Sequence, residues 1–133
     1  MKLRYLSVLA VTGVVLLCAS SAMARRSFPT TINYDGSAPV GTAGTFVSSG
    51  HLSSPQFRCR SFRLVILFGH YPSGRTEPLD LDLTSVHGAW ATKADLTGTD
   101  RVRATVARST FRRHGKRKVC RSDSVVFPTP TTP

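Results

Sequence analysis

The residues best suited to binding a charged partner are clustered between Phe111 and Cys120, in the sequence FRRHGKRKVC. Five of these ten residues are Arg or Lys, a sixth is His114, and Gly115 lies among them. Cations on a short loop raise the local electrostatic potential, and arginine can bind phosphate or carboxylate through two hydrogen bonds. One interpretation is therefore an anion-binding site. The other is a hairpin connection in which Gly115 adopts a positive φ and the cations are only hydrated.

Six residues make up this candidate anion-binding site: Arg112, Arg113, His114, Lys116, Arg117 and Lys118. Four more would extend it if they shared its face: Arg101, Arg103, Arg108 and Arg121. The formal net charge of +11 favours an anionic neighbour, and we expect a wall polymer or a membrane surface. Sequence-specific nucleic-acid binding is not expected, because Phe111 is the one aromatic residue in the stretch available for stacking. The alternative is a structural or interaction domain whose charge only sets its solubility.

Metal binding and hydrolysis need groupings of residues that the sequence does not supply. The four histidines lack the close pairing of metal ligands: His51, His70, His87 and His114. Asp80 and Asp82 alternate along a strand, which is typical of a solvated face. Ser, His and Asp are present, but no Gly-x-Ser-x-Gly elbow holds a nucleophile. We expect no catalytic residue, no metal and no cofactor, and keep an unrecognised hydrolase as the third alternative.

The first 24 residues predict a signal peptide. Lys2 and Arg4 precede an apolar run from Tyr5 to Leu17, and Ala22-Met23-Ala24 offers a cleavage site. Lipid attachment at Cys18 is disfavoured, because it wants a small residue at the preceding position, which is leucine here. Cleavage after Ala24 predicts a secreted chain of 133 − 24 = 109 residues, the size of one domain. Its formal charge is +9, since two cations leave, and it has no transmembrane segment.

Export also predicts a disulfide bond. Cys18 leaves with the signal peptide, so Cys59 and Cys120 have one intramolecular pairing, which an oxidising compartment preserves. The two cysteines are 120 − 59 = 61 positions apart. On the chain-entropy model, closing a loop of that length stabilises the fold by about 4 kcal/mol.

Short segments of alternating hydrophobicity predict the strands that hold these residues. In FRLVILF both faces are apolar, which indicates a central strand: Phe62, Leu64, Ile66 and Phe68 on one face, Val65 and Leu67 on the other. In LDLDLT the leucines are expected inward and the aspartates outward: Leu79, Leu81 and Leu83 against Asp80 and Asp82. In RVRATVAR the expected inward residues are Val102, Ala104 and Val106. AWATKADL contributes Trp90 as a hydrophobic plug between sheets, and SVVF supplies a last strand.

This spacing of strands and turns predicts an all-β fold, a two-sheet antiparallel sandwich of about seven strands. Residues 25–54 are expected to form a flexible leader with weak edge strands, of which those between 30 and 50 join the core. The core proper is expected to span 55–127, and a Pro/Thr-rich tail covers 128–133.

The segment from Cys59 to Phe127 resembles exported bacterial domains of the immunoglobulin-like or transthyretin-like type. The resemblance is carried by CRSFRLVILF, SVHGAWATKADL, DRVRATVAR, the basic hairpin and CRSDSVVF, in that order. Two positions depart from the pattern: Val86-His87 replaces an acidic residue or Asn, and Asp100-Arg101 replaces an aromatic residue. The resemblance implies a non-enzymatic module of a surface or secreted protein.

Overall fold

The structure, a computed structural model, describes residues 27–132, so the predicted signal peptide at 1–24 lies outside the described residues. Its elements are ten strands and a 3-10 turn at Phe57–Cys59. The strands are β1 (Ser27–Phe28), β2 (Thr31–Pro39), β3 (Thr45–Ser53), β4 (Leu64–His70), β5 (Thr76–Leu83), β6 (Ala89–Asp95), β7 (Arg101–Val106), β8 (Ser109–Arg113), β9 (Lys116–Cys120) and β10 (Asp123–Pro128). The all-β prediction is confirmed. Residues 27–132 contain no helix with the length and hydropathy needed to cross a bilayer.

Two antiparallel sheets form a sandwich. The first has the strand order β10-β7-β4-β5 and the second has the order β2-β3-β6. Together they hold seven strands, as the sequence predicts. Both strands from the expected leader, β2 and β3, are nine residues long and belong fully to the second sheet. A third, smaller sheet has the order β1-β9-β8, with β1 parallel to β9.

The core lies between the two large sheets and is lined by residues that alternate along each strand. From β4 and β7 it receives five residues that are fully buried: Val65, Leu67, Val102, Ala104 and Val106. From the second sheet it receives Ile32, Phe46, Leu52, Trp90 and Ala94. Trp90 is 2% exposed and packs over Gly50, where a Cβ atom would lie 2.6 Å from its ring. The predicted core positions of β7 and of the tryptophan are therefore confirmed.

Strand β5 faces the opposite way from the prediction over most of its length. Leu81 and Leu83 are 62% and 60% exposed, so their expected inward orientation is wrong. The reason is a β-bulge: Leu67 pairs with Asp80 and the next residue of β4 pairs with Pro78, which leaves Leu79 as the extra residue. Leu79 packs against the core as expected, but the alternation changes phase after it.

Aspartate carboxylates join the two sheets at both edges of the sandwich. Asp80 accepts a hydrogen bond from the backbone N–H of Lys93 in β6 (2.8 Å), and Asp82 accepts one from Ala91 (2.9 Å). At the other edge, Asp123 accepts one from the backbone N–H of Ile32 (3.0 Å). The expected outward orientation of Asp80 and Asp82 is therefore wrong, because both side chains turn toward β6, although they remain partly exposed. Edge strands present unpaired N–H groups, and these carboxylates satisfy three of them.

The predicted disulfide is present and ties the small sheet to the sandwich. Cys59 ends the 3-10 turn before β4, Cys120 ends β9, and their Cα atoms are 5.2 Å apart. Both residues are fully buried. The bond fixes the base of the β8–β9 hairpin against the end of the sandwich at which β4 begins.

Candidate anion-binding site

The basic stretch forms the β8–β9 hairpin, whose tip consists of two residues. His114 and Gly115 both have positive φ, 51° and 71°. A two-residue hairpin loop with positive φ at both positions matches the right-handed twist of its strands, and glycine adopts that backbone without strain. Arg113 and Lys116 pair across the hairpin next to this tip. The hairpin predicted from Gly115 is therefore present, and its cations are carried on two paired strands.

The hairpin has two faces, and the six candidate residues divide between them. Arg113 pairs with Lys116 and Phe111 pairs with Lys118, and because side chains alternate along a strand, these two pairs share one face. Arg112 and Arg117 pair with each other between them and therefore belong to the opposite face. The predicted site is thus divided between two cationic faces, each of which contains one cross-strand pair of like charge.

The face with three of these cations borders a depression of about 370 Å³, which we call the hairpin pocket. Its lining residues are Phe28, Gln56, Arg113, His114, Lys116 and Lys118. Phe28 also stacks on Phe111 of β8, with ring centroids 6.4 Å apart, so one wall of the pocket packs against the hairpin. Four of the six predicted anion-binding residues are therefore brought together around one concave surface.

A second concavity, of about 660 Å³, lies between the hairpin and the start of β4, and we call it the aromatic cleft. Its lining includes three phenylalanines, one leucine and two arginines at the surface: Phe57, Phe62, Phe111, Leu64, Arg58 and Arg108. The guanidinium of Arg58 lies 5.6 Å from the ring centroid of Phe111, within range of a cation–π interaction. The cleft combines apolar walls with a cationic rim.

Arg63 lies at the base of the aromatic cleft and is only 4% exposed. Its guanidinium donates to the carbonyl oxygens of Cys59 (2.7 Å), Ala107 (2.5 Å) and Arg121 (3.4 Å), and to the hydroxyl of Thr30 (3.3 Å). Burial lowers the pKa of this guanidinium from its ordinary value, and arginine nevertheless stays charged at physiological pH. Arg63 therefore ties together the segments that enter and leave the hairpin, and it adds a positive charge beneath the cleft.

The hairpin and the arginines around the aromatic cleft form what we call the cationic end. Among residues 27–132, these cations have no carboxylate partner within 4.0 Å. The two ion pairs within 4.0 Å lie elsewhere, between His51 and Asp35 and between Arg75 and Glu77. Arg121 instead donates from Nε to the hydroxyl of Ser27 (2.7 Å). Repulsion between the like charges at this end is therefore not offset by a carboxylate from residues 27–132.

The four additional arginines split into two pairs. Arg108 lines the aromatic cleft, and Arg121 directly follows the cysteine that ends β9, so both lie beside the hairpin. Arg101 and Arg103 belong to β7 and pair with His70 and Phe68, on the outer face of the first sheet. The guanidinium of Arg103 lies over the ring of Phe68, at 5.2 Å from its centroid.

The remaining histidines occupy separate local interactions. His51 contacts the carboxylate of Asp35 through Nδ1 (3.0 Å), and His70 contacts the hydroxyl of Thr76 (3.0 Å). His87 is exposed in the turn before β6. In residues 27–132, no three His, Cys, Asp or Glu side chains are grouped in a way that would hold a metal ion.

Sequence reasoning did not assign Arg58, Phe62 or Arg63 to a binding site, and it treated Phe62 only as a face residue of the FRLVILF strand. One signal for Arg63 was available, because it directly precedes β4 and is in phase with the inward residues Val65 and Leu67 of that strand. A cation at an inward position predicts a group of buried acceptors around it. No comparable signal identifies Arg58, which reaches the cleft from the 3-10 turn.

No protein-family model, no curated protein and no solved structure matches this chain.

Proposed function

We propose that the chain is an exported, non-enzymatic β-sandwich module that binds anionic polymers through its cationic hairpin. The partner class is a phosphate-, sulfate- or carboxylate-bearing polymer such as a cell-wall component, or an anionic membrane surface. We further propose that the sandwich is of the immunoglobulin-like or transthyretin-like type, on the strength of the sequence order from Cys59 to Phe127.

The observation that carries the proposal is the grouping of unpaired cations around the hairpin pocket. Arg113, Lys116 and Lys118 share one face of a disulfide-anchored hairpin, and no acidic side chain among residues 27–132 lies within 4.0 Å of them. Cations held on a rigid support lose little conformational freedom on binding an anion. A polymer presents many anionic groups, so it can contact both hairpin faces at once.

Export is supported by two features of different kinds. The chain begins with the sequence pattern of a cleaved signal peptide, and the disulfide joins two buried cysteines. Disulfides persist in oxidising compartments and are rare in a reducing cytosol. A cationic, disulfide-bonded domain outside the cell meets the anionic polymers of cell surfaces directly.

Retention on heparin-agarose, with elution by a salt gradient, tests the proposal. The five-substitution variant R112S/R113S/K116S/R117S/K118S should elute at about 0.15 M salt, where attraction is screened beyond about 8 Å, while the parent should elute at a far higher salt concentration. Equal retention of this variant and the parent would contradict the proposal and favour a domain whose charge serves solubility alone.

Three double variants that each remove two positive charges separate position from net charge: R113S/K116S, R112S/R117S and K93S/R101S. Lys93 and Arg101 are exposed and lie away from the hairpin, so they form the matched control. Each hairpin pair should reduce the slope of log affinity against log salt by up to about 2, while the control should leave it nearly unchanged. Identical slopes in all three variants would show that only net charge matters.

A further inference from the structure

One corner of the first sheet exposes four large apolar side chains beside the cationic end. We call this group the apolar corner, and its members are Phe62 (68% exposed), Leu64 (39%), Leu81 (62%) and Leu83 (60%). Single exposed leucines are common on soluble proteins, but a contiguous group of large apolar residues marks an interaction surface.

The strand register makes these side chains neighbours. Leu64 of β4 pairs with Leu83 of β5, and Ile66 pairs with Leu81 one step further along. The same register turns the carboxylates of Asp80 and Asp82 away from this face, toward the backbone N–H groups of β6. The outer surface of β5 therefore presents Leu81 and Leu83, while the aspartates that alternate with them face the other side of the strand.

Phe62 is held in an unusual backbone conformation that keeps its ring in solvent. Its φ is 53°, in the left-handed region that bulky residues rarely adopt. Its backbone N–H donates to the carbonyl of Thr84 (3.2 Å), and the next N–H, of Arg63, donates to the Thr84 hydroxyl (2.8 Å). Backbone strain that the surrounding structure maintains is concentrated at functional sites. An exposed aromatic ring on a backbone held by these hydrogen bonds suits a partner that is itself apolar at its surface.

The apolar corner is continuous with the cationic end across the aromatic cleft. Phe62 and Leu64 line this cleft together with Phe111 of the hairpin, and Arg58 and Arg108 are also in its lining. A partner that covers the corner therefore also meets these two arginines and lies next to the hairpin. The partner must present apolar material and negative charge side by side.

We propose that the apolar corner docks on a lipid bilayer bearing anionic headgroups, with Phe62, Leu81 and Leu83 entering the interface and the hairpin cations contacting headgroup phosphates. The inference rests on the proposed function for the contacts between hairpin cations and headgroup phosphates. It adds the insertion of the apolar corner into the bilayer interface. A lipid surface combines both required properties, because an anionic headgroup layer covers an acyl interior. A second copy of the chain fits less well, since its corner carries the same adjacent cations.

Co-sedimentation with vesicles of phosphatidylcholine and phosphatidylglycerol, compared with phosphatidylcholine alone, tests this inference. The parent should bind the anionic vesicles, and L81S/L83S should bind them about tenfold to a hundredfold more weakly, because two leucines no longer enter the interface. The matched control V40S/V126S removes two exposed apolar side chains elsewhere and should bind like the parent. Both substituted leucines are exposed, so the fold is retained.

Two further measurements separate this inference from the proposed function. L81S/L83S should keep the parent's retention on heparin-agarose, while R113S/K116S should weaken both retention and vesicle binding. A tryptophan introduced as Leu83→Trp should be quenched by lipids brominated in their acyl chains, whereas the buried Trp90 of the parent should not. Unchanged vesicle binding by L81S/L83S, or no quenching in L83W, would overturn the inference while leaving polymer binding intact. A parent dimer in sedimentation velocity that L81S/L83S abolishes, without vesicle binding, would instead assign the corner to self-association.

Discussion

Replacing Arg63 by methionine tests whether the buried guanidinium holds the cationic end together. Methionine fills a similar volume but donates no hydrogen bond, so the carbonyl oxygens of Cys59, Ala107 and Arg121 lose their donor. Leaving a buried acceptor unsatisfied costs about 1–3 kcal/mol. The Cys59 interaction is buried and the other two are partly buried, so the first should contribute most.

Together these losses should reduce the free energy of unfolding by about 3–4 kcal/mol, after allowance for the smaller desolvation cost of an uncharged side chain. Domains of this size are stable by about 5–15 kcal/mol, so the variant should be folded but fragile. Urea unfolding of the oxidised protein measures the effect. With a denaturant slope of about 1–3 kcal/mol per molar, the midpoint should fall by more than about 1 M.

Two companion variants make the result specific. Arg63→Lys keeps the charge, but its single ammonium cannot reach all the carbonyl oxygens that the planar guanidinium contacts. Its stability should therefore lie between those of the parent and the methionine variant. Arg108→Met removes an exposed arginine from the same cleft and should change stability by less than about 0.5 kcal/mol. Hydrogen exchange should accelerate in β9 of R63M more than in β7. If R63M unfolds at the same urea concentration as the parent, the guanidinium does not hold these segments, and the assignment is wrong.

Three further outcomes follow from other parts of the fold. Replacing Cys59 and Cys120 by serine should lower the free energy of unfolding by about 4 kcal/mol, measured as a lower urea midpoint. Added reductant should lower the midpoint of the parent by the same amount and should leave the midpoint of the serine variant unchanged. Gly50→Ala should cost about 3 kcal/mol, because the new Cβ would meet backbone and the buried indole ring; a thermal melt like the parent's would show that this contact relaxes freely. Thr97→Val should raise the pKa of Asp95, which the hydroxyl and then the backbone N–H of Thr97 lower, and NMR titration of the carboxyl carbon measures it. Because the folded-state pKa of Asp95 is depressed, its interaction with Thr97 stabilises the fold above the ordinary carboxyl pKa. This stabilisation is lost as the pH falls through the folded-state pKa. The stability of the valine variant should therefore fall less over that acidic range than the stability of the parent.

The two-sheet architecture and the disulfide were predictable because they depend on the alternation of apolar residues within single strands and on the number of cysteines. Val102, Ala104 and Val106 alternate without interruption, and their strand has no bulge, so their inward orientation follows from the twofold period alone. The cysteine pairing follows from the two cysteines that remain after the predicted signal peptide is removed. Neither inference required knowledge of which strands are neighbours.

The facing of β5 was not predictable, because it depends on a partner strand. The leucines and aspartates of LDLDLT satisfy an alternation in either phase, and the bulge opposite Leu67 selects the phase that buries Leu79 and exposes Leu81. The hydrogen bonds that the aspartates accept in this phase are also nonlocal, because their donors are backbone N–H groups of β6, across the edge of the sandwich. Sequence alone carries no record of that edge.

The candidate site was predictable in composition but not in shape. The run of cations in the hairpin is visible in the sequence, whereas the division into the pair Arg113–Lys116 and the pair Arg112–Arg117 depends on register. The aromatic cleft depends on contacts between segments more than 40 positions apart, such as that between Arg58 and Phe111. Periodicity describes single strands, so it cannot anticipate a cleft that a turn and a hairpin form together.

The arrangement of the acidic residues explains why the cations at the hairpin end stay unpaired. The carboxylates of Asp80, Asp82 and Asp123 accept hydrogen bonds from backbone N–H groups at the edges of the sandwich, so they stabilise the junction between sheets without approaching the hairpin. A surface whose charge serves solubility alone intersperses both signs, and such a hairpin would carry acidic residues among its cations. Here Ser109 to Ser122 contains none. Within the hairpin segment the cations are therefore not interspersed with carboxylates, and this local separation of the two signs is the feature on which the proposed anionic partner rests.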